Sequence, residues 1–136
     1  MLPADIDARL DDLANAIAEA APDVEFAYLF GSAAVGRLTS RSDVDVAICV
    51  SPQADAHAVQ LDVIRAVTRH LSTDAVDVVL LNTAPITLAV RILTTRRVLL
   101  DRVPFARHRY ESLTARTFQD FRIRERRLLT QRYARG

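Results

Sequence analysis

Apolar residues recur along the chain at two alternating spacings, every three to four residues and every second residue. The first spacing is typical of amphipathic helices and the second of half-buried strands. Four segments have the helical spacing and are predicted as helices: residues 3–21, 57–71, 86–97 and a long segment that begins after Pro104. Three short apolar runs are predicted as strands, and a fourth run suits a strand or a helix end: residues 24–30, 44–50, 75–81 and 98–100.

This order of elements predicts an α/β (α+β) fold: a small mixed β-sheet with helices packed on one face, plus a C-terminal helical tail. The first two strands lie too close together in the sequence for a parallel crossover, so we expect them to be antiparallel. Residues 1–104 are predicted to form the core domain. Residues 105–136 form an arginine-rich helical tail, which either belongs to the same domain or docks a partner.

The composition indicates a globular protein. Of the 136 residues, 50% are hydrophobic and 26% are charged, which excludes a disordered chain. No apolar run approaches the roughly 18 residues that a membrane span requires, so no membrane partner is expected. The N-terminus "MLPADIDARLDD" has acidic residues where a secretory signal has a basic flank, and Cys49 is a lone cysteine. We therefore expect a cytoplasmic location.

The charges divide unevenly between the two parts of the chain. Residues 1–90 contain 5 arginines and 13 acidic residues, whereas residues 91–136 contain 13 arginines and 4 acidic residues. A basic tail suits an acidic partner, a phosphate-bearing ligand or a fold-back onto the acidic part. The simpler interpretation is a helix that covers the open side of the sheet, with its arginines in solvent. No nucleic-acid partner is expected, because no nucleic-acid module or aromatic-lined groove is recognised.

Two carboxylates lie in the second predicted strand. Alternate residues of a strand share a face, so Asp43 and Asp45 point the same way. Two such carboxylates repel each other unless a cation lies between them, and Mg²⁺ prefers these oxygen ligands together with substrate phosphates. The alternative is an edge strand whose polar face meets water. Asp77 in the third strand would add a third carboxylate, with Asp74 as its competitor, although Asp74 has the position of a turn residue.

A glycine-rich turn precedes the two aspartates. Gly31 allows the backbone to approach a ligand, and the Ser32 hydroxyl with neighbouring N–H groups can bind phosphate oxygens. Arg37 in the same turn is a candidate for contacting a triphosphate. Ser42 is a further nucleotide-binding candidate, although its place before Asp43 also suits a turn cap.

The segment "GSAAVGRLTSRSDVDVAI" resembles the signature of the DNA polymerase β-like nucleotidyltransferase superfamily. It is most similar to the minimal nucleotidyltransferase branch, which includes the MntA-like antitoxins of HEPN/MNT toxin–antitoxin pairs, and the resemblance extends over roughly residues 24–100. It implies a nucleotidyltransferase fold and catalytic, metal-binding carboxylates at Asp43, Asp45 and Asp77. It also implies a two-metal Mg²⁺ site, with ATP as the substrate.

The resemblance further implies a function. Minimal nucleotidyltransferases of this branch are antitoxins of a partner HEPN-domain toxin, and some transfer AMP from ATP to a tyrosine of that toxin. The implied activity is therefore that of a protein adenylyltransferase. Two alternatives stay open: a non-catalytic antitoxin that neutralises by forming a complex, and a small-molecule nucleotidyltransferase, for which the chain has little room unless a homodimer shares the acceptor site. The acceptor hydroxyl, the number of AMP units and the state as a homo- or hetero-oligomer are left open.

Overall fold

The computed structural model describes residues 1–134, which form a four-stranded mixed sheet with the strand order β3-β2-β1-β4. The strands are β1 Val24–Phe30, β2 Val44–Val50, β3 Val76–Leu80 and β4 Arg97–Asp101. β1 is antiparallel to both β2 and β4, whereas β2 and β3 are parallel. The predicted mixed sheet and the antiparallel first pair are confirmed, and residues 98–100 belong to a strand. Residues 135 and 136 of the predicted tail lie outside the described residues.

Five α-helices lie within residues 1–134: α1 Ile6–Asp11, α2 Leu13–Ala20, α3 Ala56–Leu71, α4 Ile86–Thr95 and α5 Pro104–Ala134. The first predicted helix is therefore divided at Asp12 into α1 and α2. Its apolar stripe is nevertheless buried along both pieces. The start of α3 is capped by Asp55, whose carboxylate accepts a hydrogen bond from the Ala58 N–H at 3.2 Å. No helix in the described part of the chain combines the length and the apolarity needed to cross a membrane.

Helices cover both faces of the sheet, which corrects the expectation of helices on one face. One face presents Val44, Val46 and Ile48 to α1, α2 and α3. The opposite face presents Phe26 and Tyr28, and it is covered by α4 and the beginning of α5. The reason lies in β1, which is apolar at every position from 26 to 30 and so requires cover on both sides.

The first turns of α5 are anchored on the sheet. Ala106 and Tyr110 pack on the second face, with the Tyr110 ring 5.9 Å from the Phe26 ring between centroids. From residue 115 to residue 132 every side chain is exposed except the half-buried Phe118. The beginning of the tail therefore covers the sheet as the simpler interpretation proposes, while its distal half extends into solvent.

A polar cluster fixes the anchored part of α5. The Glu111 carboxylate accepts hydrogen bonds from the Tyr28 hydroxyl and from Arg107, both at 3.1 Å, and forms an ion pair with Arg96 at 3.2 Å. Arg107 also forms an ion pair with Asp101 at 3.1 Å. These contacts connect β1, β4 and α5 around a largely buried carboxylate. Tyr28 and Arg96 are far from Glu111 in sequence, so no local pattern indicates their contacts, whereas Arg107 and Glu111 are one helical turn apart.

Candidate active site

Asp45 and Asp77 lie side by side in the sheet. The register of the parallel pair places Asp45 of β2 opposite Asp77 of β3, and neighbouring strands are about 4.8 Å apart. Both side chains point to the face that α4 and α5 cover, because Val46 and Val78 point to the opposite face. The structure therefore brings together two of the three predicted carboxylates.

Asp43 lies directly before β2 and completes the group. Burial raises the pKa of the Asp45 carboxyl, the charges of Asp77 and Asp43 raise this pKa further, and Arg91 acts in the opposite direction. Asp45 is half-buried and is repelled by the charges of both other carboxylates, which are exposed. Asp74 is exposed before β3 and is not opposite β2, so the structure places Asp77 rather than Asp74 beside Asp45.

Gly31 makes a close contact with Asp45. β1 ends at Phe30, and Gly31 begins a 3₁₀ turn with a left-handed φ of 68°. A Cβ atom at Gly31 would lie 2.7 Å from Asp45 Oδ2. The Gly31 N–H donates a hydrogen bond to Thr95 Oγ1 at 2.9 Å. Glycine is therefore required here both by its backbone conformation and by the space that the carboxylate occupies.

The other predicted nucleotide-binding residues lie in the turn between β1 and β2. Ser32 is half-buried next to Gly31, and its carbonyl oxygen accepts a hydrogen bond from the Arg37 N–H at 2.8 Å. The Arg37 side chain is exposed. The Ser42 hydroxyl accepts a hydrogen bond from the Thr39 N–H at 2.9 Å, which is the arrangement of a turn cap. The roles of all three residues in nucleotide binding stay predictions.

A cavity of about 260 Å³ opens beside Asp45, between the end of β1 and the last turns of α4. It is lined by Phe30, Gly31, Asp45, Arg91, Thr94 and Thr95. The three α4 residues were not identified from the sequence. Residues at positions i, i+3 and i+4 lie on one face of a helix. The polar face of the predicted helix 86–97 was therefore the sequence feature that could have indicated these three residues.

The oxygen ligands that the site offers suit a hard divalent cation. Asp43 and Asp45 offer carboxylate oxygens, and the charge repulsion at Asp45 is the kind that a bound cation relieves. Within residues 1–134, no three His, Cys, Asp or Glu side chains are arranged to hold a metal ion by themselves. Mg²⁺ commonly takes only one or two carboxylates and completes its shell with phosphates and water. The residues therefore fit a cation that binds together with a polyphosphate.

The fold is similar to that of chains in solved toxin–antitoxin complexes. A toxin–antitoxin complex with AMP-PNP contains a chain with a TM-score of 0.72 at 20% identity, over 90% of this chain and 96% of that chain. A chain of an MntA–HepT toxin–antitoxin complex has a TM-score of 0.67 at 18% identity, over 92% of this chain and 97% of that chain. A chain of a complex between tri-AMPylated Shewanella oneidensis HEPN toxin and an MNT antitoxin has a TM-score of 0.66 at 18% identity, over 92% of this chain and 96% of that chain. These similarities show a shared fold.

Sequence comparison shows the family. No curated protein matches the chain significantly. Residues 13–104, which are more than half of the chain, match the family model described as "Polymerase beta, Nucleotidyltransferase". This match includes the Gly-Ser turn, Asp43, β2 with Asp45, and β3. The chain belongs to the polymerase beta nucleotidyltransferase family.

Proposed function

We propose that this chain is an Mg²⁺-dependent protein adenylyltransferase that acts as an antitoxin, transferring AMP from ATP to a hydroxyl, expected to be a tyrosine, of a partner HEPN toxin. The observation that carries the proposal is the half-buried Asp45 carboxylate, which lies against Gly31, beside Asp77 and at the rim of a cavity. Family membership supports nucleotidyl transfer. Solved complexes of similar fold, one with AMP-PNP and one with an AMPylated HEPN toxin, support the choice of donor and acceptor.

Each predicted site residue has a proposed role. Asp43, Asp45 and Asp77 would hold Mg²⁺, which when bound stabilises negative charge on the phosphates and lowers the pKa of an attacking hydroxyl. The Ser32 hydroxyl binds phosphate oxygens at the end of β1, where Gly31 allows the backbone to approach the ligand. Arg37 and Ser42 lie on the same turn and complete the nucleotide-binding residues predicted from the sequence.

The proposed transfer is a single displacement at phosphorus. The acceptor oxygen forms a bond to the α-phosphorus of ATP, and the bond from this phosphorus to the oxygen bridging the α- and β-phosphates breaks. Pyrophosphate leaves with the electron pair of the broken bond. The acceptor proton passes to solvent water beside the exposed Asp77.

The direct test is intact-mass analysis of the proposed partner, a HEPN toxin. Incubation with this protein, ATP and Mg²⁺ is expected to raise the mass of the HEPN protein in steps of about 329 Da, one for each AMP. Chelation of Mg²⁺ with EDTA is the matched control and is expected to prevent every step. An unmodified HEPN protein, in the presence of a complex between the two proteins, would contradict the catalytic proposal.

A second candidate function is neutralisation by binding alone. It is favoured by the distal half of α5, where Phe121, Ile123, Leu128 and Leu129 are exposed among arginines and are available to a partner. A chain ending after Thr117 removes this surface but keeps Ala106 and Tyr110 on the sheet.

Growth rescue separates the two functions. If transfer neutralises the toxin, the double variant Asp43→Asn/Asp45→Asn is expected not to rescue growth. The chain ending after Thr117 is then expected still to modify the toxin when this chain is present at high concentration. If binding neutralises it, the double variant rescues growth and the shortened chain does not. The unfolding free energy of the shortened chain is expected to stay within about 0.5 kcal/mol of the wild-type value, because the removed side chains from 119 to 132 are exposed and Phe118 is only half-buried.

A further inference from the structure

The polar face of α4 forms one wall of the cavity beside Asp45. Arg91, Thr94 and Thr95 occupy neighbouring positions on this face, one turn apart. Ile92 and Leu93 of the same helix pack on the sheet and hold the wall in place. The cavity therefore has a cationic and hydroxyl-bearing side opposite its carboxylate.

Arg91 has no ion-pair partner among the described residues 1–134. Arg96 and Arg107, by contrast, are both paired with Glu111. The exposed guanidinium of Arg91 lines the same cavity as the Asp45 carboxylate. A cation that lines a cavity and is not neutralised by the chain is suited to an anionic ligand.

The two threonines are not equivalent. The Thr95 hydroxyl accepts the hydrogen bond from the Gly31 N–H, so its own hydrogen is directed elsewhere and can be donated. The Thr94 hydroxyl donates to the Val90 carbonyl oxygen at 2.7 Å, which leaves it only acceptor capacity. Donors to an anion in this cavity are therefore Arg91 and Thr95.

The size of the cavity limits what it can hold. Sites that bury a whole drug-sized ligand measure about 300–1,000 Å³, and this cavity, at about 260 Å³, is smaller. It suits a part of a nucleotide. A guanidinium matches phosphate oxygens in a planar, two-point geometry, so the part selected by the lining is phosphate rather than the base or the ribose.

We propose that Arg91 binds the β- and γ-phosphates of the donor nucleotide in the cavity between the end of β1 and α4. This inference rests on the proposed function and assigns a triphosphate-binding residue to α4, outside the Gly-Ser turn. Arg91 also offsets the repulsion that Asp43, Asp45 and Asp77 exert on the incoming triphosphate.

The test is calorimetric binding of two nucleotides in the presence of Mg²⁺. The first is α,β-methylene-ATP, in which the bond that transfer would break is replaced by a P–C bond, and the second is AMP, which lacks the β- and γ-phosphates. Arg91→Ala is expected to raise the Kd of α,β-methylene-ATP at least about tenfold and to leave the Kd of AMP unchanged. Arg91→Lys is expected to be intermediate, since lysine keeps the charge without the planar fork.

Arg65→Ala is the matched control, because Arg65 is an exposed arginine of α3 on the other side of the sheet, and it is expected to bind both nucleotides as the wild type does. Thermal unfolding without nucleotide verifies that Arg91→Ala is folded. If Arg91→Ala loses equal affinity for both nucleotides, or loses affinity for neither, the assignment of Arg91 is overturned. The proposed function is not affected by that result, because the wild type still binds the nucleotides. A wild-type protein that binds neither nucleotide would overturn both proposals.

Discussion

Replacing Asp45 by asparagine is expected to abolish AMP transfer and, without Mg²⁺, to increase the free energy of unfolding. Transfer should fall about a thousandfold or more, because a carboxylate that holds Mg²⁺ is lost and several kcal/mol of transition-state stabilisation go with it. Stability should rise, since burial and the charges of Asp77 and Asp43 disfavour the ionised Asp45 carboxylate in the folded protein.

The pH dependence of this stability difference tests its cause. Because folding raises the pKa of Asp45, the ionised carboxylate destabilises the fold at pH values above that pKa, and the destabilisation disappears as the pH falls and the carboxyl is protonated. The gap in unfolding free energy between Asp45→Asn and the wild type is therefore expected to shrink as the pH is lowered. Urea unfolding at several pH values measures it.

Asp74→Asn is the control, because Asp74 is exposed before β3 and not beside Asp45. It is expected to retain transfer. Mg²⁺ with α,β-methylene-ATP should raise the melting temperature of the wild type and of Asp74→Asn but not that of Asp45→Asn. Undiminished transfer by Asp45→Asn would refute the role proposed for the carboxylate.

Two of the three strands that position this site could be predicted from the sequence to the residue, and the third, predicted as 75–81, is one residue shorter at each end. Residues 24–30 and 44–50 form β1 and β2 with the predicted bounds, because each is a run of apolar residues with a single acidic residue, bounded by turn residues. The pairing of Asp45 with Asp77 was expected from their positions in neighbouring strands, and the register places them opposite each other. Local alternation in strands was enough to bring these acids together.

The other wall of the site could not be predicted in the same way. The polar face of α4 has the pattern of any solvent-facing helix surface, and only the packing of Ile92 on the sheet places Arg91 beside Asp45. The place of α4 on the second face of the sheet, next to the beginning of α5, was missed for a related reason. The apolar character of β1 at every position indicates two buried faces, but the sequence does not show which helix covers each face.

Replacing Gly31 by alanine is expected to reduce AMP transfer far more than it reduces stability. The left-handed φ of 68° costs an alanine about 1–2 kcal/mol. The added Cβ would lie 2.7 Å from Asp45 Oδ2, and this atom is the end of a side chain that can rotate away. The carboxylate is therefore displaced while the fold persists, and a displacement of about 1 Å in a catalytic group can reduce the rate on the order of a hundredfold.

Gly36→Ala provides a matched control in the same turn. Gly36 has a φ of 70°, nearly that of Gly31, but a Cβ at Gly36 would meet no atom within 4 Å. Both variants are expected to lose a similar free energy of unfolding, about 1–2 kcal/mol, since both place alanine in the left-handed region. Only Gly31→Ala is expected to lose transfer, measured as the rate of AMP incorporation at saturating ATP and Mg²⁺. Equal losses of transfer in the two variants would show that backbone strain in the turn, and not the position of the Asp45 carboxylate, limits the reaction.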